Sequence, residues 1–251
     1  MLHKPILPML LHKADKPPEK GYLFQPKFDG FRCILSYNGN NIKLFTRHQT
    51  ECTFQFPELQ IHLPVKNVVL DGEMISFDET GNICFESVMQ RFQARKEFTI
   101  RHITRSIPAH FVAFDLLYLN GTDYTKRPIE ERLEVLNAII PQHNVISVCP
   151  IYEDGFSLLH HVVNLGMDSG LDGITCKKKG SHYEINKRSQ NWLKVKNYYY
   201  DDVEIAGIRK GKFGWLLSKK RIICRHFRTR TTSTPKSIPF SCSSNKKKRD
   251  T

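Results

Sequence analysis

None of the seven cysteines, at positions 33, 52, 84, 149, 176, 224 and 242, belongs to a CxxC pair. That absence removes the usual spacing of a zinc site, and an odd, scattered set offers no disulfide framework. Buried or idle thiols in a reducing cytoplasm are the expectation. The chain also lacks any apolar run near the roughly 20 residues that span a bilayer. The short stretch from Ile6 to Leu11 is interrupted by Pro8 and no small-residue cleavage site follows, so no membrane segment or secretory leader is expected. Internal repeats are missing as well.

Acidic residues are nearly missing from one end. Residues 219–251 hold eleven Lys/Arg against one acid, Asp250, so this stretch carries +10 of the formal +13 and leaves +3 to residues 1–218. The net charge is therefore a weak reason to infer a polyanionic partner for the folded part. The tail is too polar to bury much and is expected to be disordered. The composition, 40% hydrophobic and 25% charged over 251 residues, suits one large soluble domain, or one domain with a fragment of another.

What is present reads as α+β. Strand-like runs cover 31–37, 42–46, 68–70, 111–119, 145–148, 173–176, 192–195 and 203–208. Asn38-Gly39-Asn40 and Asn120-Gly121 are turn signals. A helix is predicted over 129–140, opened by Pro128 and stopped by Pro141, and another over 156–165. Asp201-Asp202 looks like a boundary. The expected organisation is a domain over 1–201, a fragment over 202–218 and the basic tail over 219–251.

Five clusters carry chemistry. The first is Lys27-Phe28-Asp29-Gly30-Phe31-Arg32; a lysine amine is an unusual nucleophile that needs a site built to activate it. Taken alone, Asp29-Gly30 is ordinary turn chemistry. Leu70-Asp71-Gly72-Glu73 places a carboxylate at a strand end. Phe111–Tyr118 is an aromatic-rich strand with one acid, Asp115, which by itself could cap a turn. Leu171-Asp172-Gly173-Ile174 precedes the basic run Lys177-Lys178-Lys179. Trp192-Leu193-Lys194-Val195-Lys196 puts two lysines on one face of a strand. Together they supply a nucleophile, cationic phosphate clamps and carboxylates for a metal.

In this order and spacing the clusters resemble the covalent nucleotidyltransferase superfamily of DNA ligases, RNA ligases and capping enzymes, over about residues 5–218. The stretches 114–121, 128–132 and 187–189 before Trp192 resemble ATP-dependent DNA ligases of the small bacterial and phage type. The resemblance implies an ATP-grasp-like adenylation domain of two antiparallel sheets with flanking helices, followed by an OB-fold. It implies ATP and Mg²⁺ (or Mn²⁺) as cofactors, nicked double-stranded DNA as partner, and a monomer. Lys27 would become adenylated, with Asp29 in the same motif, and Lys194 and Lys196 would neutralise the α-phosphate. Arg32 and Glu73 would hold the ribose, Arg47 would meet phosphate, and Gln25 would read the adenine edge. Phe114 would stack on the base with Ile174 packed opposite. Glu73 and Asp172 would face the metal.

Two features depart from that pattern. DNA ligases carry Glu where this chain has Asp172, a displacement of about one methylene; misplacement of order 1 Å can cost ~10²-fold in rate. Only 202–218 resembles the barrel, and one strand cannot close five. That shortfall predicts impaired reaction with ATP. The competing readings are an RNA-ligase or capping-type enzyme, which Asp172 favours, and a non-catalytic remnant that binds nucleic acid through its tail.

Overall fold

The structure is a computed structural model that describes residues 1–141, 143–166, 169–198, 204–208, 215–219 and 222–227. Its contacts divide the chain into two compact units, residues 1–196 and 197–251. The expected boundary at 201–202 lies outside the described residues.

The first unit holds ten strands and four helices among its described residues. They are β1 (Leu10–Ala14), β2 (Tyr22–Phe28), β3 (Phe31–Tyr37), β4 (Ile42–Thr46), β5 (Val68–Ser76), α1 (Phe85–Gln93) and α2 (Glu97–Ser106). Then come β6 (Ala109–Leu119), β7 (Thr122–Asp123), α3 (Ile129–Ile139), β8 (Ile146–Val148), α4 (Gly155–Leu165), β9 (Leu171–Lys178) and β10 (Arg188–Lys196). One sheet runs β1-β10-β9-β2; the other runs β4-β3-β5-β6-β7, with β8 also paired to β6. Pairing is antiparallel except for β1 on β10 and β8 on β6.

Alternation along the strands builds the layers. Phe24, Ile174, Cys176 and Val195 point to one side of the smaller sheet and pack with Leu158 and Val162 of α4. Leu35, Leu70, Phe111 and Leu116 face away from that sheet, onto Leu133 and Leu136 of α3 and Val88 of α1. Between the sheets lies a third cluster that includes Met9, Ile34, Val69, Leu117, Tyr183 and Trp192. The order is helix, sheet, cleft and core, sheet, helix.

Local chemistry sets the turns. Asn120 (φ 47°) and Gly121 (φ 95°) both take the left-handed conformation needed by the tight hairpin between β6 and β7. Asp154 caps α4 by accepting from the backbone N–H groups of Phe156 and Ser157. Gly72 has no room for a side chain, since a Cβ there would lie 2.4 Å from the Phe111 ring and 2.6 Å from the Val112 carbonyl oxygen.

The sequence underestimates this architecture in three places. β2 contains Pro26, which normally demotes a strand. Helices α1 and α2 escape the apolar pattern because α1 turns only Val88 and Arg91 fully inward and α2 only Ile100 and Ile103. Arg91 lies fully buried on Glu58 at 2.8 Å, so a cation occupies a core position. Within 197–251, three strands, β11 (Glu204–Ile208), β12 (Trp215–Lys219) and β13 (Ile222–Phe227), form a sheet of that order. β13 therefore lies inside the stretch expected to be a disordered tail; residues 228–251 are outside the described set.

Asp115 is no turn cap. Arg132 of α3 grips it with Nε to Oδ1 at 2.7 Å and Nη2 to Oδ2 at 2.9 Å, and both side chains are fully buried. Removing one partner of such a pair leaves an uncompensated buried charge, at a cost of about 3–5 kcal/mol. Arg132→Met should lower unfolding free energy in urea by that amount. A loss below about 1 kcal/mol, the scale of an exposed pair, would contradict this role.

Candidate active site

The two sheets face each other across a cleft. Leu11, Gln25, Pro26, Lys27, Phe28, Thr175, Lys177 and Trp192 line it from the smaller sheet, and Arg32, Glu73 and Phe114 from the larger. Five of the expected site residues, Gln25, Lys27, Arg32, Glu73 and Phe114, thus meet in one place.

Register explains the smaller sheet's contribution. Lys27 pairs with Gly173, which pairs with Lys196; Gln25 pairs with Thr175, which pairs with Lys194. The three lysines therefore share the cleft face. Lys27 and Lys196 are separated by a residue without a side chain. A bulge supplies the anion: Lys27 pairs with Gly173 but Phe28 with Leu171, leaving Asp172 unpaired and re-aimed. Its Oδ2 lies 2.7 Å from Lys27 Nζ and 3.0 Å from Lys196 Nζ. Asp172 thus reaches the nucleophile despite being one methylene shorter than glutamate. Burial works against its ionisation, but Lys27 and Lys196 outweigh that and hold Asp172 below the usual carboxylate range. Lys194 is pushed below the usual lysine value by burial and by the charges of Lys196 and Lys27.

A second bulge aims the aromatic wall. Asp71 pairs with Asp115 and Gly72 with Ala113, so Phe114 is the extra residue of β6 and turns into the cleft. Arg32 and Glu73 are direct cross-strand partners. Arg32 is gripped by Asp71, with Nε to Oδ1 at 2.9 Å, and donates through Nη1 to the Met9 carbonyl at 2.6 Å. Burial raises the Glu73 carboxyl to about 7 despite the nearby charges of Lys27 and Arg32.

Three residues of the cleft were not legible as such. Lys177 was one of a basic run, yet it is 1% exposed. Its Nζ donates to the Phe114 carbonyl and lies 4.3 Å from the Trp192 ring centre and 3.9 Å from Asp115. Burial lowers its ammonium to about 8. Thr175 and Trp192 complete the wall; alternation from Gly173 along β9 would have found Thr175 and Lys177. Two polar atoms at the cleft lack partners among the described residues, the acceptor Gln25 Oε1 and the donor Trp192 Nε1.

Two expected residues lie elsewhere. Ile174 does not pack opposite Phe114: its β9 position sends it to the far face, into the core beneath α4. Arg47 sits exposed on the turn after β4, bonded to His48 at 3.0 Å, outside the cleft lining. Asp29 is in the β2–β3 turn, where its backbone N–H donates to Gly170.

Comparison with known proteins settles the lineage. Residues 8–196 match the ATP dependent DNA ligase domain family. The chain belongs to that family. This ligase chain is 41% identical over 219 residues to the SPbeta prophage-derived DNA ligase-like protein LigB of Bacillus subtilis strain 168, covering 85% of this chain and 75% of that one. It is 32% identical over 201 residues to a probable DNA ligase of Dictyoglomus turgidum, covering 75% of this chain but 34% of the relative. Its fold resembles mycobacterial DNA ligase D complexed with ATP and MES, with a TM-score of 0.62 at 24% identity over 84% of this chain and 67% of that one. The chain therefore carries the ATP-dependent DNA ligase adenylation domain, and the capping-type alternative finds no support.

The raised Glu73 value gives a stability test. Between pH 4.5 and about 7 the unfolded carboxyl ionises while the folded one stays protonated, so its contribution falls as pH rises and the penalty is complete above about 7. Glu73→Gln should melt like the parent at pH 4.5 and above it at pH 8. A constant difference across that range would refute the assignment.

Proposed function

We propose that the chain transfers AMP from ATP to Lys27 and then to the 5′-phosphate of nicked double-stranded DNA, which the 3′-hydroxyl seals. The observation that carries this reading is the cleft in which a lysine amine, a half-buried arginine, a half-buried carboxyl and an aromatic face converge. In the first step a neutral Lys27 Nζ forms a bond to the α-phosphorus as the bond to the β-phosphate oxygen breaks and pyrophosphate leaves. The ammonium must first lose a proton to solvent, and Asp172 Oδ2, which accepts a hydrogen bond from Lys27 Nζ, holds the nitrogen in place. Lys194 and Lys196 stand beside the developing charge and offset it.

Gln25 Oε1 is a buried acceptor without a donor, which suits the exocyclic amine of adenine. Phe114 offers its face to the base, and Arg32 with Glu73 faces the ribose. Arg47 serves as an outer phosphate contact. Glu73 and Asp172 are the carboxylates suited to Mg²⁺ or Mn²⁺. Magnesium uses one or two carboxylates with water and phosphate oxygens, so it does not need a larger acidic cluster. Among the described residues no group of three or more His, Cys, Asp or Glu could hold a metal. When bound, the ion supplies Lewis-acid polarisation of the phosphate. Among the described residues no helix is long and apolar enough to cross a membrane. The DNA substrate is the reason we assign a cytoplasmic setting, and we propose a monomer.

Separation of steps tests the reading. Lys27→Ala should abolish sealing from ATP yet still seal a nick that already carries 5′-AMP. Lys196→Ala should slow both. Sealing from ATP by Lys27→Ala would overturn the assignment of the nucleophile.

A further inference from the structure

Arg32 is supported from outside the cleft by a residue that the adenylation chemistry does not use. Tyr183 follows β9 in the chain, is 4% exposed, and lies beside Trp192 edge to face, with ring centres 5.5 Å apart at 87°. It does not line the cleft. Its Oη donates to Asp71 Oδ2 at 2.6 Å and accepts from the Met9 backbone N–H at 3.1 Å and from Arg32 Nη2 at 3.4 Å. A phenol hydroxyl has one hydrogen to give and two lone pairs to fill, so this one is saturated.

The consequence falls on Arg32. A guanidinium carries five N–H bonds. Nε and Nη2 serve Asp71, the second Nη2 hydrogen serves Tyr183, and Nη1 serves the Met9 carbonyl. Among the described residues nothing accepts the second Nη1 hydrogen. Burial and the charge of Asp71 both push the Tyr183 phenol well above its usual value, so it stays a donor.

We propose that Tyr183 is a positioning residue that fixes the direction of the one free Arg32 N–H and thereby sets how well the site distinguishes ribose from deoxyribose. This rests on the reading that Arg32 faces the ribose. Without the phenol oxygen, Met9 N–H and one Arg32 N–H lose their acceptor and Asp71 loses a donor. The fork can then rotate on the carboxylate, and its free hydrogen no longer has a set aim.

Calorimetric titration of the full chain in a Lys27→Ala background, with ATP and with 2′-deoxy-ATP, tests the inference without turnover. Tyr183→Phe should weaken ATP binding by about tenfold, the scale of one hydrogen bond to a charged group, while 2′-deoxy-ATP changes little. The preference for ribose should thus collapse toward one. Tyr183→Met, which also removes the hydroxyl from a similar buried volume, should do the same and serves if Tyr183→Phe does not fold. Arg32→Lys separates the two levels of the claim. If it abolishes the preference but Tyr183→Phe keeps it within twofold, the role of Tyr183 is overturned. Equal losses for both nucleotides in Tyr183→Phe would reduce it to a structural residue and also overturn the proposal. If Arg32→Lys leaves the preference intact, the ribose assignment fails and this inference with it.

Discussion

Three lysine side chains, Lys27, Lys194 and Lys196, rise from neighbouring strands of one sheet, and the carboxylate of Asp172 lets two of them share a single oxygen. Burial and the charges of Lys196 and Lys27 disfavour the ionised form of Lys194. The arrangement holds because one anion stands at its centre. It also leaves a net positive spot that a triphosphate can enter. In the proposed function the base lies toward Gln25 and Lys177 on β2 and β9, and the ribose toward Arg32 and Glu73 on β3 and β5.

Each sheet carries a bulge at the cleft, and only Asp172 reaches the cleft against strand alternation. Asp172 and Phe114 each occupy the unpaired position of an interrupted ladder, one in each sheet. A bulge re-aims a side chain without altering the strands on either side. The scaffold can therefore keep its core faces intact while Asp172 joins the site as an exception. Behind Phe114, the buried Asp115–Arg132 pair ties the wall of the cleft to α3, which explains physically why the stretch 128–132 accompanies the catalytic motifs.

Much of this was legible because motifs and periodicity agreed. Phe31–Tyr37 and Ile42–Thr46 read as strands and are strands, and the start of α3 was marked by Pro128. The placement of Ile174 failed for an identifiable reason: strict alternation puts it with Phe24 and Val195, whereas Asp172 two residues earlier leaves that alternation through the bulge. The partnership of Tyr183 with Asp71 could not be found, since it joins residues 112 apart in sequence and depends on the sheets facing each other. Helix α1 hid because it buries Arg91, a cation no hydropathy pattern assigns to a core.

The central claim is that Lys27 is the residue that takes AMP. The direct measurement is the intact mass of the purified chain after ATP and Mg²⁺, followed by peptide mapping of the adduct. The account predicts a single AMP-sized gain, labile to acid as a phosphoramidate is, on the peptide that contains Lys27. A stable adduct on any other residue, or an unchanged gain in Lys27→Ala, would contradict it.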